Sequence, residues 1–500
     1  MKTKIKIFAI CSALALCSCS LEEKPYGFYS ESNFYKSAAD ADAAVNYAYA
    51  TLTFLEYSRA VFYLGEIPTE NIAPKSDEGQ AAVDLNAWTI ANLKTNSVLQ
   101  AYFNYAFIGV NRANAVIQNV PNGNYDQSLK NQYMGEAYFL RAWNYFNLVR
   151  VFGLVPLHNT TVETLDQTSA PLAANLDVMY DQILSDCRNA ESLMSVYTTP
   201  KVGRADKVAA QALAAKAYLF IASAKEHNVP LYKDMKRDMT AMYDSAASYA
   251  GKVINNQSTY HFDNSLLNIY DVEKPRGPEH IFIMSMDRTG TSEGEYSKIS
   301  KMFIPYIGGA TVYLDNKNGT YSATHDGWGV YQTTVPFYTS FDAADKRKTD
   351  LIVDKVYDKA GVLVASYPGK ITYPFTRKYV DPNFIGDKTS TRPFLIRYSD
   401  VALIYAEAAG PTTKAYELIN NVRSRAGLGT LMPGLAKDDF RKAVYKERTW
   451  ELAYEGDHLY DLRRWNRVIS DVPEAANLTP EQATFYPIPQ AEIDLNGSLR

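Results

Sequence analysis

The chain has 500 residues, of which 51 are Lys or Arg and 55 are Asp or Glu. This length exceeds that of a small module and supplies enough material for a large core. A hydrophobic content of 47% with 21% charged residues excludes a disordered chain. The net charge of −4 and the lack of a basic tract argue against nucleic-acid binding, which needs a positive surface. Tyrosine is frequent, with 38 Tyr against 21 Phe, and its ring suits partly hydrated surfaces that stack on polar ligands.

The first residues predict a signal peptide at 1–18. Three lysines precede an apolar run at 7–16, which is too short to cross a ~30 Å hydrocarbon layer as a helix. The stretch Leu16-Cys17-Ser18-Cys19 is similar to the bacterial lipobox, so Cys19 is the expected lipid attachment site. The acidic residues at 20–23 resemble the tag that sends lipoproteins to the outer face of the outer membrane. The alternative is an ordinary secretory signal with an incidental cysteine.

The mature chain has one further cysteine, Cys187, which cannot form an internal disulfide. We interpret it as a small buried apolar residue rather than a nucleophile. No other segment reaches 18 consecutive apolar residues, so no transmembrane helix is expected. The lipid is therefore the predicted membrane anchor.

No Gly/Ser-rich or Pro-rich linker divides residues 19–500, which we interpret as one unit. The predicted fold is mainly α, an irregular scaffold of tetratricopeptide-like helix pairs with a loop-rich, partly β region. Residues 19–260 form the helical N-terminal half, 261–397 the loop and strand region, and 398–500 a second helical part. Spacings of three and four residues indicate one face of an amphipathic helix, formed by Tyr138, Ala142, Tyr145, Val149 and Phe152. Gly153 is the predicted end of that helix.

Short β-prone runs occur at 280–285, 351–357 and 370–373, among residues that favour turns. Long irregular stretches of this kind carry binding loops on many scaffolds. Helices are predicted again at 399–409, 413–426 and 438–455, with Gly427 closing the second.

Seven ordered blocks resemble one protein family. They are 111–117 (NRANAVI), 135–157 (GEAYFLRAWNYFNLVRVFGLVPL), 203–207 (GRADK), 395–408 (LIRYSDVALIYAEA), 421–427 (NVRSRAG), 447–465 (ERTWELAYEGDHLYDLRRW) and 485–494 (FYPIPQAEID). In this order they are similar to the SusD/RagB family of outer-membrane nutrient-binding lipoproteins. The resemblance extends from the leader to the last ten residues.

The resemblance implies four tetratricopeptide-like helix pairs and a less regular ligand-binding part. It also implies a partner, a SusC-like TonB-dependent transporter, on which the lipoprotein sits as a lid. The implied ligand is a glycan or oligosaccharide, with a peptide in some members of the family.

The blocks that carry the resemblance favour structural roles. Glu447, Glu451 and Glu455 share one helix face, and like charges four residues apart need cations nearby, so a buried ionic network is expected. The alternative is a glycosidase, which needs two carboxylates across a sugar at ~5–5.5 Å or ~6.5–9.5 Å. These glutamates lie among bulky apolar residues, which favours packing over an open cleft.

Other chemistry is not indicated, and no catalytic residue is predicted. The six histidines form no HxH or HExxH pair, so no metal site is expected. The glycine-rich stretches at 308–309 and 327–329 lack the Lys-Ser/Thr of a phosphate loop. No Gly-x-Ser-x-Gly nucleophile elbow occurs in the sequence. No cofactor is predicted.

A sugar site combines a flat aromatic ring with amide, carboxylate or guanidinium groups for the hydroxyls. Two loop segments meet this description, at 66–92 and 306–338. The candidate ligand contacts, with Trp88 and Trp328 foremost, are Trp88, Trp328, Tyr331, Tyr313, Tyr306, Glu70, Asn71 and Asn92. For each ring the alternative is a packing role, which is the preferred interpretation for Trp143, Trp450 and Trp465.

The sequence therefore predicts a non-enzymatic lipoprotein that is anchored in the outer membrane and faces the cell exterior. It would bind a glycan and deliver it to the transporter. A peptide-binding protein and a structural lid of the transporter are the alternatives, and a glycoside hydrolase is a third.

Overall fold

A computed structural model describes residues 34–256 and 258–499. The predicted signal peptide and Cys19 lie outside these residues. The described chain is mainly α, which confirms the predicted fold class. The helices of the N-terminal half are α1 (Ala38–Thr53), α2 (Leu55–Gly65), α3 (Gln80–Asn86), α4 (Ile90–Leu93), α5 (Ser97–Asn119), α6 (Gln127–Phe152), α7 (Leu176–Leu193), α8 (Lys207–Glu226) and α9 (Met239–Ile254).

Long helices that follow one another in the chain pack side by side. α5 contacts α6, α6 contacts α7, α7 contacts α8 and α8 contacts α9. α8 begins at Asp206, whose side chain accepts a hydrogen bond from the Ala209 N–H at 3.0 Å. Because its many alanines are small, α8 is buried on nearly every side between its neighbours.

α6 differs from the predicted amphipathic helix. From Phe139 to Phe152 all its residues are buried, so a single apolar face understates its burial. The physical reason is its position, since α1, α5 and α7 all pack against it. Gly153 closes the helix at φ 77°, which confirms the predicted end, and a Cβ there would meet the Phe485 ring at 3.2 Å.

The strands are short. They are β1 (Ile72–Pro74), β2 (His280–Ile283), β3 (Val312–Asp315), β4 (Tyr321–Thr324), β5 (Tyr331–Thr333), β6 (Ile352–Val353), β7 (Lys355–Tyr357), β8 (Leu363–Ser366), β9 (Phe375–Thr376) and β10 (Phe394–Arg397). β4-β3-β7-β8 form an antiparallel sheet, and β1-β5, β10-β2 and β6-β9 form antiparallel pairs. The prediction of a strand at 370–373 was wrong, because the Ile371 N–H bonds back to the Ser366 carbonyl in a turn.

Helices alternate with these strands and then follow them. They are α10 (Leu266–Ile269), α11 (Ile299–Phe303), α12 (Val335–Ser340), α13 (Lys346–Leu351), α14 (Tyr398–Ala409), α15 (Thr413–Arg425), α16 (Lys437–Glu451), α17 (His458–Arg464), α18 (Val468–Asp471), α19 (Pro480–Thr484) and α20 (Gln490–Leu495). α16 is shorter than the predicted 438–455. It ends where Tyr454 and Gly456 take positive φ, and there the chain passes so close to Gly65 that a Cβ on Gly65 would lie 2.0 Å from the Gly456 carbonyl oxygen.

Buried apolar residues form one main core that joins both helical parts. A second core lies in the strand region, where Ile304, Ile307, Val312 and Leu314 pack with Val356 and its neighbours. The loop that carries Tyr306 is therefore anchored on both sides by buried isoleucines.

Candidate functional site

The two loop segments singled out in the sequence lie side by side. β1 pairs with β5 in the register Ile72 with Thr333 and Pro74 with Tyr331. The pairing continues at both ends, because the Lys75 N–H bonds to the Val330 carbonyl at 2.9 Å and the Thr334 N–H to the Asn71 carbonyl at 3.0 Å. Residues 71–75 and 330–334 therefore lie side by side as a pair of strands.

Two exposed aromatic rings lie close to this pair of strands in the chain or in space, Trp328 just before β5 and Tyr306 in the loop bonded to it, with 39% and 71% of their residue surfaces accessible. Hydrogen bonds join their backbones, since the Gly329 N–H bonds to the Ile304 carbonyl at 2.9 Å and the Gly327 N–H to the Pro305 carbonyl at 3.3 Å. The Trp328 N–H bonds to the Lys301 carbonyl at 2.7 Å. Both rings are thus held on a fixed backbone.

Glycines on each side of Trp328 permit this close approach. A Cβ on Gly327 would lie 1.8 Å from the Ile304 carbonyl oxygen, and one on Gly329, at φ 67°, 1.9 Å from the Tyr373 hydroxyl. The Asp326 carboxylate also holds the loop, accepting from the Gly327 N–H at 3.1 Å, the Gly309 N–H at 2.6 Å and the Ile307 N–H. The indole is therefore the part of this segment left to face solvent.

Paired charges surround Trp328. The Lys298 and Lys301 ammonium groups lie 5.8 and 5.3 Å from its ring centroid. Lys298 pairs with Glu293 at 3.2 Å, and Lys301 pairs with Asp387. We name as the Trp328 surface the set Arg59, Glu293, Tyr296, Lys298, Lys301, Tyr306, Trp328, Asp387 and Lys388.

Two further cations complete the Trp328 surface. Arg59, on α2, pairs with the other oxygen of Glu293 at 2.7 Å. The Lys388 ammonium lies 4.8 Å from the Tyr296 ring and donates to the Gly290 carbonyl at 2.9 Å. The sequence did not point to these residues, because they come from α2, the 293–301 segment and the 387–388 loop. The one available signal was the spacing of Lys298 and Lys301, which lie three residues apart at the start of α11.

Trp88 is a correction to the predicted ligand platform. Only 3% of its surface is accessible, its indole N–H donates to the Pro68 carbonyl at 3.1 Å, and its ring stacks on Tyr486 at 5.5 Å between centroids. The segment around it folds inward at a positive φ of 52°. Neither face of this indole is open to a ligand, so Trp88 is a packing residue.

Tyr331 is a second correction. It is fully buried, and its ring lies 5.0 to 5.6 Å from those of Phe62, Tyr63 and Phe303. The cause is the pairing of β5 with β1, which turns this side chain into the main core. The preferred packing role is confirmed for Trp143 and Trp465, which are buried, whereas Trp450 is half-buried.

Tyr313 and Asn92 are not joined to Trp328 by any hydrogen bond, ion pair or ring contact within the described ranges. Tyr313 is half-buried on β3, opposite Ala323 and Tyr357. Asn92 is exposed on α4 and donates to the Asp84 carboxylate at 3.1 Å. Neither contributes to the Trp328 surface.

Glu70 and Asn71 lie at the start of β1 and face a buried polar cluster. Glu70 accepts from His458 Nε2 at 2.8 Å, and Glu66 accepts from the Gly456 N–H at 2.7 Å. Asn71 is fully buried, and its amide makes no hydrogen bond to the described residues. Asn71 is closed off from solvent, and the Glu70 side chain, which is 29% exposed, is bonded to His458 rather than to any residue of the Trp328 segment.

The electrostatics of this cluster are unusual. Burial raises the pKa of Glu66 to about 7, although His458 and the Gly456 N–H oppose the shift. Burial alone would lower the pKa of His458, but Glu70 and Glu66 raise it to about 9. The imidazole is therefore a cation at neutral pH, held between two glutamates.

The predicted ionic network around the glutamates of α16 is confirmed. Glu451 accepts from Arg397 at 2.9 Å and Arg425 at 2.7 Å, while Glu455 accepts from Lys378 at 2.6 Å and Arg397 at 2.7 Å. Burial alone would raise the pKa of Glu451, but the surrounding arginines hold it well below its usual range. Glu447 pairs in the same way with Arg347 and Arg423.

A groove with a volume of about 640 Å³ lies elsewhere, on α1 and α5. Tyr47, Phe107, Ile108, Arg112 and His158 contribute to its lining. Arg112 stacks over the Tyr47 ring at 3.5 Å. We prefer the Trp328 surface as the ligand site because its rings lie among charged donors and acceptors, whereas this groove is mainly apolar.

Comparisons with known proteins agree with this fold. A model described as the SusD family matches residues 354–477, and one described as "Starch-binding associating with outer membrane" matches 21–219. The chain belongs to the SusD/RagB family. Within the family it is similar to the SusD-like protein P2 of Formosa agariphila, with 26% identity over 99% of this chain and 98% of that protein.

Solved structures of SusD homologues share the fold. A homologue from Bacteroides thetaiotaomicron VPI-5482 aligns with a TM-score of 0.76 and 21% identity, covering 94% of this chain and 97% of that one. A laminarin-binding SusD-like protein aligns with a TM-score of 0.74 and 21% identity, covering 92% and 98%.

Two features are absent from the described residues, 34–256 and 258–499. No helix there combines the length and apolar character needed to span a bilayer. The same residues contain no cluster of three His, Cys, Asp or Glu side chains placed to hold a metal ion.

Proposed function

We propose that this SusD/RagB protein binds an oligosaccharide or polysaccharide at the Trp328 surface. The observation that carries the proposal is the pair of exposed rings, Trp328 and Tyr306, on a backbone fixed by Asp326. The C–H face of a sugar stacks on an aromatic ring, and its hydroxyls bond to the charged groups beside that ring. The laminarin-binding protein of the same fold supports a glycan as the ligand class.

The protein acts as a binding protein rather than as a glycosidase. Glu447, Glu451 and Glu455, the carboxylates considered for catalysis, are at most 7% exposed and are bonded to arginine or lysine. A general acid needs a raised pKa and access to the substrate, and Glu451 has neither.

The same proposal includes the cellular setting. A lipid on Cys19 anchors the protein in the outer membrane facing the exterior, and the bound glycan passes to a SusC-like TonB-dependent transporter. The match to a model of proteins associating with the outer membrane supports this setting. Replacement of Cys19 with Ala should abolish fatty-acid labelling and detergent partitioning, and unchanged membrane retention would contradict the anchor.

Calorimetry with a lipid-free protein that begins at Ser20 tests the ligand. We expect saturable binding to at least one polysaccharide in a panel of laminarin, starch, mannan, xylan and pectin, with no release of shorter products. Saturable binding to peptides alone would favour a peptide-binding protein. Binding to neither class, with retained co-purification of the transporter, would favour a structural lid.

A further inference from the structure

We infer that the Tyr296 side of the Trp328 surface is a subsite for an anionic group, a carboxylate or sulfate carried by the bound glycan. The anion binds the ammonium of Lys388, while a sugar of the same chain stacks on Trp328. This inference rests on the proposed function and deepens it by naming the class of glycan.

Lys388 has no carboxylate partner. Its half-buried side chain donates to the Gly290 carbonyl at 2.9 Å, and its ammonium lies 4.8 Å from the Tyr296 ring centroid. Among residues 34–256 and 258–499, no Asp or Glu oxygen lies within 4.0 Å of this ammonium. An ammonium has three N–H donors, so the bond to Gly290 leaves two of them for a ligand.

The other cations of the Trp328 surface outnumber the carboxylates that pair with them. Glu293 alone pairs with Arg59 at 2.7 Å and with Lys298 at 3.2 Å. Asp387 pairs with Lys301. With the unpaired lysine, four cations stand against two carboxylates. This positive excess is local, because the whole chain has a net charge of −4.

Two further carboxylates lie beside this surface and are held by their own loops. Glu295 accepts from the Thr291 N–H at 2.7 Å and from the Thr291 hydroxyl at 2.8 Å. Asp326 accepts from the Gly309 N–H at 2.6 Å, on the side of the loop that carries Tyr306. Neither carboxylate reaches the Lys388 ammonium, so the charge of this lysine is left for a ligand to compensate.

The positions of the rings suit a glycan with an acidic substituent. The Lys298 ammonium lies between two rings, 5.8 Å from the Tyr296 centroid and 5.8 Å from the Trp328 centroid. A short oligosaccharide stacked on Trp328 therefore reaches the Tyr296 side of the surface. There an anion forms charge-assisted hydrogen bonds to the ammonium of Lys388, which are stronger than the bonds of a neutral hydroxyl.

Polymer pairs that share a backbone but differ in charge test the inference on the lipid-free protein. Dextran with dextran sulfate probes sulfate, whereas hydroxyethylcellulose with carboxymethylcellulose, and esterified with de-esterified homogalacturonan, probe carboxylate. We expect the acidic member of at least one pair to bind at least tenfold tighter than the neutral member in 50 mM NaCl. Its Kd should rise at least fivefold in 500 mM NaCl, because salt screens the ion pair that it forms.

Substitutions at Lys388 provide a second readout. Lys388→Met removes the charge but keeps a long side chain, so the ratio of acidic to neutral affinity should fall at least fivefold. Lys388→Arg keeps the charge and should retain the acidic preference. The matched control is Lys442→Met, which removes an exposed lysine of α16 and should leave the ratio unchanged. Near-UV circular dichroism checks that each variant is folded.

Trp328→Ala distinguishes a subsite from a general attraction of polyanions to surface lysines. In the subsite, the acidic polymer also stacks on the indole, so this variant should weaken its binding at least fivefold. Full retention of acidic binding in folded Trp328→Ala would mean that the anion binds without the ring, and would overturn the inference.

The remaining outcomes separate the inference from the proposed function. Equal or tighter binding of the neutral member in every bound pair would overturn the inference and leave glycan binding intact. An acidic preference that is unaltered in folded Lys388→Met would also overturn it, because the anion would then bind elsewhere. If no polymer of either charge binds, the proposed function fails, and the inference fails with it.

Discussion

Paired charges serve opposite purposes in two regions of this protein. The first region is the buried ionic network, in which the Arg397 and Glu451 side chains are 1% exposed. Its members are Arg347, Arg397, Arg425, Glu447, Glu451 and Glu455. On the Trp328 surface, the Lys301 and Asp387 side chains are 15% and 49% exposed. Buried pairs are costly to break because the remaining charge has no solvent, whereas exposed pairs rearrange at little cost. The first region can therefore fix the scaffold, and the second is free to exchange partners with a ligand.

The largest expected effect is the loss of Arg397. Arg397→Met would remove an arginine that binds Glu279, Glu451 and Glu455 at once, and should lower the free energy of unfolding by about 3–5 kcal/mol. Urea denaturation measures this change. The matched control is Arg467→Met, which removes an exposed pair with Asp471 and should cost less than about 1 kcal/mol. Equal costs in both variants would remove the contrast between buried and exposed pairs.

Trp88 should behave as part of the buried region despite lying in a loop. Trp88→Ala removes a buried indole that stacks on Tyr486, and should cost about 3–4 kcal/mol of unfolding free energy. Trp328→Ala should cost less than about 1 kcal/mol, because that ring is partly in solvent. Thermal and urea unfolding of the two variants compare them directly. A stable Trp88→Ala protein would contradict the packing role.

The contrast between these two tryptophans shows what sequence reasoning could reach. Both stand among polar residues in turn-rich segments, so the local pattern is the same. Trp88 is buried because Tyr486, almost 400 positions later, returns to cover it. Contacts between residues so far apart in the sequence do not affect the local spacing of apolar and polar residues. The burial of Tyr331 through the pairing of β5 with β1 could not be predicted for the same reason.

Other elements could be predicted because their causes are local. The end of α6 at Gly153 follows from the preference of a positive-φ position for glycine, and the pairing of Glu447, Glu451 and Glu455 follows from like charges on one helix face. The set of charged residues around Trp328 could not be predicted. Arg59, Glu293 and Asp387 are brought together only by the packing of α2 against the loop region.

The buried cluster behind β1 predicts a pH dependence of stability. The folded pKa of Glu66, about 7, is raised above the unfolded value near 4.5, so the folded state holds the proton more tightly. The contribution of protonated Glu66 to the free energy of unfolding is fully present below pH 4.5 and is lost as the pH rises through 7. His458, with a folded pKa of about 9, adds a further loss between about pH 6.5 and 9.

Glu66→Gln isolates the first of these two windows. Between pH 4.5 and 8, wild type should lose up to about 3 kcal/mol more unfolding free energy than the variant. Denaturation midpoints across this pH range measure the difference. The decline between pH 8 and 9 should persist in weaker form in Glu66→Gln, because Glu70 still raises the pKa of His458 after the contribution of Glu66 is lost. Parallel pH profiles would show that Glu66 does not titrate near neutrality.

The smallest effect in free energy tests the central claim, that the Trp328 surface binds the glycan. Loss of one stacked ring should weaken binding by about 1–3 kcal/mol, which is roughly a 5- to 150-fold increase in Kd. Calorimetric titration of the best-binding polysaccharide into wild type, Trp328→Ala and Tyr306→Ala measures it. Tyr47→Ala, which removes an exposed ring from the α1–α5 groove, is the control. We predict weaker binding in the first two variants and wild-type affinity in the control. Unchanged affinity in folded Trp328→Ala and Tyr306→Ala, or a loss confined to Tyr47→Ala, would contradict the account.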